Sequence, residues 1–249
     1  MNHNPLKMNE QKTNIVIIGA SSEIGLAICC KFDKEENHLF VHCHGNKEKL
    51  INHTKDFKAS VQIIPCDFSE IDQLNSFLPM LKDVSVLINA AAITKTNLLT
   101  SLSDTDIEKM LQVNVLATVK ICKTVVPQML IKRKGIILNI TSVAASKGNK
   151  GQSVYGGTKG FIESFSRSLA TELGVKGIRV NCIAPGVIEA GNMLDLLHNA
   201  PEEVKKSISL NKLGKPEDVA NLVEFLCSEK AGFITGQTYH VDGGFQQGI

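Results

Sequence analysis

Residues Asn14 to Gly25 read NIVIIGASSEIG and decide how the chain begins to fold. The first part is mostly apolar and β-branched, which is typical of a parallel strand covered on both faces. Gly19 and Gly25 then bracket a turn that leads into a helical stretch. Glycines allow close backbone approach, and a helix N-terminus offers unpaired N–H groups to an anion. The segment therefore predicts a strand–turn–helix unit that can hold a phosphate, although its spacing is not the common GxGxxG.

The same alternation of apolar runs and helix-like stretches continues along the chain. Candidate strands are Asn14–Ile18, Leu39–Cys43, Val61–Pro65, Val84–Asn89, Ile136–Ile140, Ile178–Ile183 and Thr238–Val241. Candidate helices are Ile24–Phe32, Asp104–Gln128, Val154–Leu173 and Pro216–Cys227. This repetition predicts an α/β protein with a doubly wound parallel sheet of about seven strands and helices on both faces.

Composition suggests one domain with a polar extension. Residues 1–12 are polar and are interpreted as a flexible N-terminal tail, and 13–249 as a single domain. The connection 187–215 is long; its apolar residues and the charged run 202–206 predict short helices outside the sheet. We interpret this connection as a substrate lid, with a surface insertion that has no gating role as the alternative.

Bulk properties exclude several classes of protein. The 249 residues are 43% hydrophobic and carry a net charge of +2, so nothing indicates a nucleic-acid partner. The 7 cysteines include no CxxC pair or zinc spacing, which favours free thiols in the cytoplasm and no metal site. We expect no signal peptide, no transmembrane helix and no membrane partner.

The segment Tyr155-Gly-Gly-Thr-Lys159 is the strongest candidate for chemistry. Positions i and i+4 share one helix face, so Tyr155 and Lys159 can point into the same site. A nearby ammonium favours the phenolate and lowers the pKa of a tyrosine from about 10. Ser142 ends an apolar run upstream and completes a candidate proton-transfer group. Each residue also has an ordinary structural interpretation, as a helix tyrosine, a solvated lysine or a turn serine.

The end of the second candidate strand reads Val-His42-Cys-His44-Gly-Asn46-Lys47 and contains no acid. Sites that bind NAD through the ribose hydroxyls usually place an acid there. A 2′-phosphate is better tolerated without one, so we expect NADPH to be favoured over NADH. His42, His44, Asn46, Lys47 and, from the glycine turn, Ser22 are the candidate contacts to that phosphate.

From about Thr13 to Phe245 the chain resembles the classical short-chain dehydrogenase/reductase family, which has a Rossmann-type fold. The glycine turn is similar to the family's TGxxxGxG motif. Further matches follow in the family's order: Asp67 after the third strand, Asn89-Ala90-Ala91-Ala92 after the fourth, Asn114, Ser142, Tyr155, Lys159, Pro185-Gly186, Ile234-Thr235-Gly236-Gln237 and Val241-Asp242-Gly243-Gly244.

The resemblance implies an NAD(P)-dependent oxidoreductase that reduces a ketone to a secondary alcohol. It assigns a catalytic tetrad of Asn114, Ser142, Tyr155 and Lys159. Tyr155 gives a proton, Ser142 holds the carbonyl oxygen, Lys159 binds ribose and lowers the Tyr155 pKa, and Asn114 holds a relay water. Expected cofactor-binding residues are Gly19, Ser21, Ser22, Ile24, Gly25, His44, Asp67, Phe68, Asn89, Ala90, Ala91, Tyr155, Lys159, Pro185, Gly186, Val187 and Ile188.

Three positions depart from the family pattern. Ile18 replaces the usual threonine, and Glu23 replaces the middle glycine of the motif. We expect the Glu23 carboxylate to point to solvent, away from a phosphate. Ala190 stands where the family has the threonine that contacts the nicotinamide carboxamide; Asn192 is the nearest polar substitute, and the main chain of Val187 and Ile188 is expected to hold the carboxamide.

Within the family, the chain looks most like 3-oxoacyl-[acyl-carrier-protein] reductases, which implies an acidic acyl carrier protein as partner. Sugar, steroid, polyketide and secondary-alcohol dehydrogenases share every motif quoted and stay open. A non-catalytic dinucleotide-sensing or scaffold protein is the alternative from another class. The family is commonly a homotetramer, less often a homodimer. Basic residues expected near the mouth of the site are Lys132, Arg133, Lys134 and Lys176.

Overall fold

A parallel sheet of 7 strands forms the centre of the fold. The computed structural model describes residues 12–191 and 201–245, so most of the predicted tail and part of the predicted lid, including Asn192, lie outside the described residues. The strands are β1 Thr13–Ile18, β2 Asn37–Cys43, β3 Ser60–Pro65, β4 Val86–Asn89, β5 Gly135–Ile140, β6 Ile178–Pro185 and β7 Thr238–Val241. Their order is β3-β2-β1-β4-β5-β6-β7, and every neighbouring pair is parallel.

Helices connect the strands. They are α1 Glu23–Lys31, α2 Lys47–Thr54, α3 Ile71–Phe77, α4 Asp104–Leu111, α5 Thr118–Lys132, α6 Ser153–Gly174, α7 Pro201–Lys206 and α8 Pro216–Cys227. A π-helical segment, Gln112–Ala117, joins α4 to α5. Short 3₁₀ turns occur at Leu78–Met80, Leu99–Ser101, Val143–Ala145 and Glu229–Ala231.

The predicted fold class and all seven predicted strands are confirmed. The helix that was expected to start near Asp104 does so, and the main-chain N–H of Asp106 donates to the Ser103 hydroxyl at 3.1 Å. Helices α2 and α3 were not predicted, because both are short and bury only two residues each, so their apolar periodicity is weak.

Helices cover the sheet on both faces, and consecutive residues of each strand point to opposite faces. Ile15 and Ile17 of β1 pack with α1 and α8, whereas Val16 and Ile18 pack with α5 and α6. This accounts for strands that are continuously apolar. Because all the strands run in the same direction, their carboxyl ends, where the connecting loops begin, lie along one edge of the sheet.

The stretch Asp104–Lys132 is long and apolar enough to cross a membrane by length and composition alone. It comprises α4, the π segment and α5. Val113, Ile121 and Val125 from this stretch are buried in the core against the sheet. Packing in the core therefore accounts for these apolar residues, whereas Leu111, Leu116 and Ile131 of the same stretch are exposed.

Candidate active site and dinucleotide site

Three consecutive residues at the end of β5 connect the strand to helix α6. The main-chain oxygen of Ile140 accepts a hydrogen bond from Lys159 Nζ at 2.9 Å. Thr141 Oγ1 donates to the Glu163 carboxylate at 3.0 Å. The Ser142 side chain lies close enough to the Tyr155 phenol to act on its pKa, and its hydroxyl accepts from Ala144 N at 3.2 Å. The predicted serine, tyrosine and lysine therefore meet where β5 ends and α6 begins.

Burial raises the pKa of Tyr155 above its usual value, and the interaction with Ser142 only partly opposes this. The expectation that Lys159 lowers this pKa is wrong for this structure. Lys159 Nζ lies 5.8 Å from the centre of the tyrosine ring, and its hydrogen bond goes to a main-chain oxygen instead. The phenol is consequently protonated at neutral pH, which is the form that a proton donor needs.

Lys159 is only 4% exposed. Burial lowers its pKa to about 8, while the electrostatic interactions with Cys182 and Glu163 act in the opposite direction. Glu163 stands four residues after Lys159 on the helix, so i, i+4 spacing places it beside the ammonium. This acid was not among the predicted site residues, although its spacing from Lys159 was visible in the sequence.

Asn114 lies in the π segment, a feature that often marks a functional position inside a helix. Its side chain accepts from Ile93 N at 2.9 Å and donates to Ile93 O at 2.9 Å. It also donates to Thr158 Oγ1 at 3.1 Å, and Thr158 donates to the main-chain oxygen of Tyr155. Both amide hydrogens are thus used to hold α6 against the loop after β4, and the main-chain oxygen of Asn114 accepts from Thr118 Oγ1 at 3.2 Å. A relay water would therefore have to donate to an oxygen of Asn114.

The glycine turn after β1 has the geometry that a phosphate site requires. Gly19 has a φ of +78°, and a Cβ there would lie 2.7 Å from the main-chain nitrogen of Ala91. The Ser22 hydroxyl accepts from Gly25 N at 3.1 Å and donates to Gly19 O at 2.9 Å. Ser22 is therefore the N-cap of α1, and these bonds occupy the hydroxyl that we had considered for a 2′-phosphate.

His42 is buried and cannot contact a 2′-phosphate, so that expectation is wrong. Its Nδ1 accepts from Gly19 N at 3.1 Å, and its Nε2 lies 2.9 Å from Cys66 O. These partners require a neutral ring with the proton on Nε2. The ring stacks on Phe68 with centroids 4.0 Å apart. His42 therefore joins the glycine turn to the end of β3.

His44, two residues on, is exposed at the carboxyl edge. Its Nε2 lies 3.1 Å from Asp67 Oδ2, and its side chain is 75% exposed. The second Asp67 oxygen accepts from the Ser69 main chain and hydroxyl. Burial raises the pKa of Asp67, but the Ser69 bonds and His44 outweigh it, so the pKa lies below its usual value. The two predicted cofactor contacts are thus adjacent, with Asp67 ionised.

The segment after β4 forms the opposite wall of the glycine turn. Ala90 N donates to Ile18 O at 2.9 Å, and Ala91 lies against Gly19. Asn89 is 5% exposed, and its amide donates to Asn139 Oδ1 at 2.7 Å, joining β4 to β5. The Asn89 side chain therefore belongs to the core, while Ala90 and Ala91 line the crevice.

The segment after β6 begins at Pro185-Gly186, as predicted. Gly186 N donates to Val241 O at 3.0 Å, which ties this corner to β7. Val187 and Ile188 are buried, and their main-chain oxygens accept from Gly214 N and Ala190 N. A carboxamide held here would thus have to use main-chain N–H groups.

Glu23 is only partly directed to solvent: its side chain is 39% exposed, and both carboxylate oxygens have partners within the protein. One carboxylate oxygen lies 3.3 Å from Lys49 Nζ, and the other accepts from Gly191 N at 3.2 Å. Burial raises the pKa of Glu23, but its own main-chain N–H, Lys49 and Gly191 outweigh this and lower it below its usual value. The carboxylate is thus ionised and paired within the protein.

The four basic residues that were expected near the mouth of the active site lie at the opposite edge of the sheet from that site. Lys132 ends α5, Arg133 and Lys134 precede β5, and Lys176 precedes β6, so all four are at the amino ends of the strands. Lys132 and Lys134 pair with acids there, at 2.6 Å and 3.2 Å. Residues that directly precede parallel strands lie together at the amino edge of the sheet, away from the active site.

A dinucleotide fits the crevice that these residues form. The strand order reverses between β1 and β4, and open parallel sheets bind nucleotides at such a switch point, outside the carboxyl ends of the strands. The glycine turn, the N-terminus of α1 and Ala90 lie at this point, and Asp67 lies farther along the same carboxyl edge, after β3.

Comparisons with known proteins agree with this geometry. A family profile described as enoyl-(acyl carrier protein) reductase matches residues 19–246. Nodulation protein G of Rhizobium meliloti (strain 1021) is 35% identical over 92% of this chain and 95% of its own length. The 3-oxoacyl-[acyl-carrier-protein] reductase FabG of Rickettsia bellii (strain RML369-C) is 34% identical over 92% and 95%.

Solved structures give the same result. A short chain dehydrogenase/reductase family protein has a TM-score of 0.86 and 29% identity, covering 94% of this chain and 98% of its own. A structure titled ElxO with NADP bound has a TM-score of 0.84 and 27% identity over 94% and 98%. Fold, motif order and these matches together show that the chain belongs to the short-chain dehydrogenase/reductase family of NAD(P)-dependent oxidoreductases.

Proposed function

We propose that this protein reduces the ketone of a 3-oxoacyl thioester carried by acyl carrier protein, with NADPH as the hydride donor. The carrying observation is that Ser142, Tyr155 and the buried Lys159 meet at the carboxyl end of β5, where Lys159 Nζ donates to Ile140 O. Relatives named as 3-oxoacyl-[acyl-carrier-protein] reductases that match most of the chain support the substrate class.

Tyr155 is the proposed proton donor. When bound, the nicotinamide supplies a hydride to the carbonyl carbon of the substrate. Tyr155 gives its phenolic proton to the carbonyl oxygen as negative charge develops there, and Ser142 orients that oxygen. General acid catalysis of this kind contributes about 10²–10⁴-fold. The raised pKa of Tyr155 supports the role, because it keeps the phenol protonated before the reaction.

Lys159 and Asn114 have supporting roles in this proposal. Lys159 would bind the ribose hydroxyls and return a proton toward Tyr155. A pKa of about 8 leaves Lys159 largely protonated at neutral pH and able to release a proton with little cost. Asn114 keeps Tyr155 in place through Thr158, and a relay water would donate to an oxygen of Asn114, because both amide hydrogens are already used.

We propose that the glycine turn, Asp67, Ala90, Ala91 and the Val187–Ile188 main chain hold the dinucleotide. NADPH is favoured because β2 itself ends without an acid, and the carboxylate that reaches this position from the end of β3, Asp67, is paired with His44. His44, Asn46 and Lys47 are exposed there and supply the polar and positive groups. Ser22 and His42 are excluded as contacts by the bonds that they already make.

Two exposed lysines at the carboxyl edge are better placed to bind a carrier protein than the four basic residues at the amino edge. Lys95 follows β4 and Lys150 follows β5, so both lie at the carboxyl edge that carries the site. The two loops touch through a hydrogen bond from Asn97 N to Gly151 O at 3.0 Å. We propose that this pair attracts an acidic carrier protein. Changing both lysines to glutamate should raise the KM for the carrier-bound substrate and leave the KM for a short free thioester unchanged.

The homotetramer also remains a proposal. Phe161 on α6 is 47% exposed and stacks with Phe165 at 6.3 Å between ring centroids. Phe165 is partly buried against the core, so Phe161 is the exposed member of the pair, and an exposed aromatic residue on a long helix favours a partner subunit on that face. Sedimentation velocity of the wild-type protein and of Phe161→Lys tests this, and a monomer in both would contradict it.

The central experiment measures oxidation of NADPH and of NADH with acetoacetyl thioesters. We expect a higher kcat/KM with NADPH than with NADH. Tyr155→Phe should remove nearly all turnover while binding NADPH as the wild type does. Wild-type rates in that variant would refute the assignment of Tyr155.

Other outcomes identify the alternatives. Reduction of sugars, steroids or simple ketones, without oxidation of NADPH by the thioester, would move the substrate to another class within the family. Thermal melting with NADPH and NADH tests the scaffold alternative. A melting temperature that neither dinucleotide raises would favour a protein without catalysis.

A further inference from the structure

Two departures from the family motifs are neighbours in space. Glu23 stands in place of the middle glycine of the turn, and Ala190 in place of a threonine after β6. The Glu23 carboxylate accepts from the main-chain N–H of Gly191, the residue after Ala190, at 3.2 Å. The two positions are far apart in the sequence, so nothing in the motifs themselves links them.

Val187–Gly191, which we name the post-β6 segment, is held at both ends. At its start, Gly214 N donates to Val187 O at 3.0 Å, and Glu189 N donates to Gly214 O at 2.9 Å. At its end, Glu23 holds Gly191. In its middle, Ala190 carries a methyl group that cannot form a hydrogen bond with a ligand. The segment therefore draws its side-chain anchor from helix α1.

The Glu23 carboxylate has the partners that an ionised anchor needs. Lys49 of α2 lies 3.3 Å from one oxygen, and the other oxygen bonds Gly191. Its own main-chain N–H in the first turn of α1 is a further donor to the carboxylate. The anchor thus joins α1, α2 and the post-β6 segment around the proposed pyrophosphate site.

We propose that Glu23 is a positioning residue that anchors the post-β6 segment before the dinucleotide binds, compensating for the threonine that is absent at Ala190. The consequence for binding rests on the proposed function, since it assumes that Val187 and Ile188 meet the nicotinamide carboxamide. A segment that is ordered in advance loses less conformational entropy when the ligand binds. The same carboxylate carries negative charge near the phosphates, which Lys49 partly offsets.

Hydrogen exchange of the free protein, followed by mass spectrometry, tests the anchor directly. Glu23→Ala should make the peptide that contains the post-β6 segment exchange about tenfold faster, because a hydrogen bond to a charged group is lost. Glu23→Gln keeps an acceptor for Gly191 N and should exchange nearly as slowly as the wild type. Glu48→Gln, an exposed acid on α2, is the matched control for the charge. Equal exchange in Glu23→Ala and the wild type would overturn the proposal.

A second variant tests the compensation. In Glu23→Ala/Ala190→Thr, slow exchange of the segment should return only when NADPH is added, whereas the wild type shows it without NADPH. Failure of the threonine to restore it, in a variant that binds NADPH, would overturn the compensation. Should Glu23→Ala fail to fold, Glu23→Ser also shortens the side chain beyond reach of Gly191.

A titration with NADPH distinguishes a failure of the Glu23 anchor from a failure of the proposed function. Glu23→Gln should bind NADPH about two- to fivefold more tightly than the wild type, because repulsion of the phosphates is removed while the anchor remains. A wild-type protein that binds neither NADPH nor NADH would refute the proposed function. The exchange of the free protein would still decide whether Glu23 anchors the segment.

Discussion

Protonation of His42 at acidic pH should break the hydrogen bond that joins the glycine turn to the end of β2. The neutral ring accepts from Gly19 N through Nδ1 and faces Cys66 O through Nε2. A second proton on Nδ1 would remove that acceptor and place a cation in a buried position. The pKa of His42 is accordingly lowered to about 4, chiefly by burial and further by His44, while Cys66 O and Asp67 oppose the shift.

The size of the effect follows from proton linkage. The unfolded chain takes up the His42 proton near its ordinary pKa of 6.5, and the folded protein does so only near about 4. The unfolded state therefore binds more protons in this window, so stability is full above it and falls as the pH falls. Between about pH 7 and about pH 4.5, His42 should remove about 2 kcal/mol from the free energy of unfolding.

Urea denaturation at these two pH values measures the effect. His42→Gln keeps an acceptor for the Gly19 N–H but does not titrate. Its loss of stability on acidification should therefore be smaller than that of the wild type by about 2 kcal/mol. His53→Gln, on α2, controls for removal of a histidine elsewhere. An equal pH dependence in the wild type and His42→Gln would refute the reasoning.

Three further predictions concern the site. Asn114→Ala should lower the free energy of unfolding by about 2–4 kcal/mol, measured in urea, because the main-chain N–H and C=O of Ile93 lose their partner. Gly25→Ala should weaken NADPH binding at least about tenfold by fluorescence titration, because its Cβ would lie 2.3 Å from a main-chain oxygen of the glycine turn. Glu163→Gln should lower the pKa of Lys159 further, so activity should be lost at a lower alkaline pH than in the wild type. An unchanged urea denaturation curve, an unchanged Kd or an unmoved pH profile, respectively, would contradict each prediction.

Much of the fold could be predicted because it depends on local patterns. Continuous apolar runs mark strands that are buried on both faces, and all seven were placed within a few residues. The α2 and α3 helices escaped because they are short and mostly polar. The π segment also escaped, since its residues continue the same apolar periodicity as the α-helices on either side.

Predictions about single side chains were less successful where the partner was remote in sequence. His42 and Ser22 were predicted to contact a phosphate, but their side chains instead accept hydrogen bonds from the main-chain N–H groups of Gly19 and Gly25. Glu23 looked like a solvated acid until the fold brought Gly191 to it. Such errors arise because a residue type shows what a side chain can bind, whereas only the fold shows which partner reaches it first.

The sequence by itself determined the parallel sheet, the glycine turn and the presence of a Ser–Tyr–Lys group in the family's order. These follow from hydrophobic periodicity, glycine sterics and helical spacing, which act over a few residues. Tertiary structure alone decided that burial raises the pKa of Tyr155, that Lys159 bonds Ile140, and that Glu23 meets the segment after β6. Those properties depend on desolvation and on contacts between distant parts of the chain, which no local pattern contains.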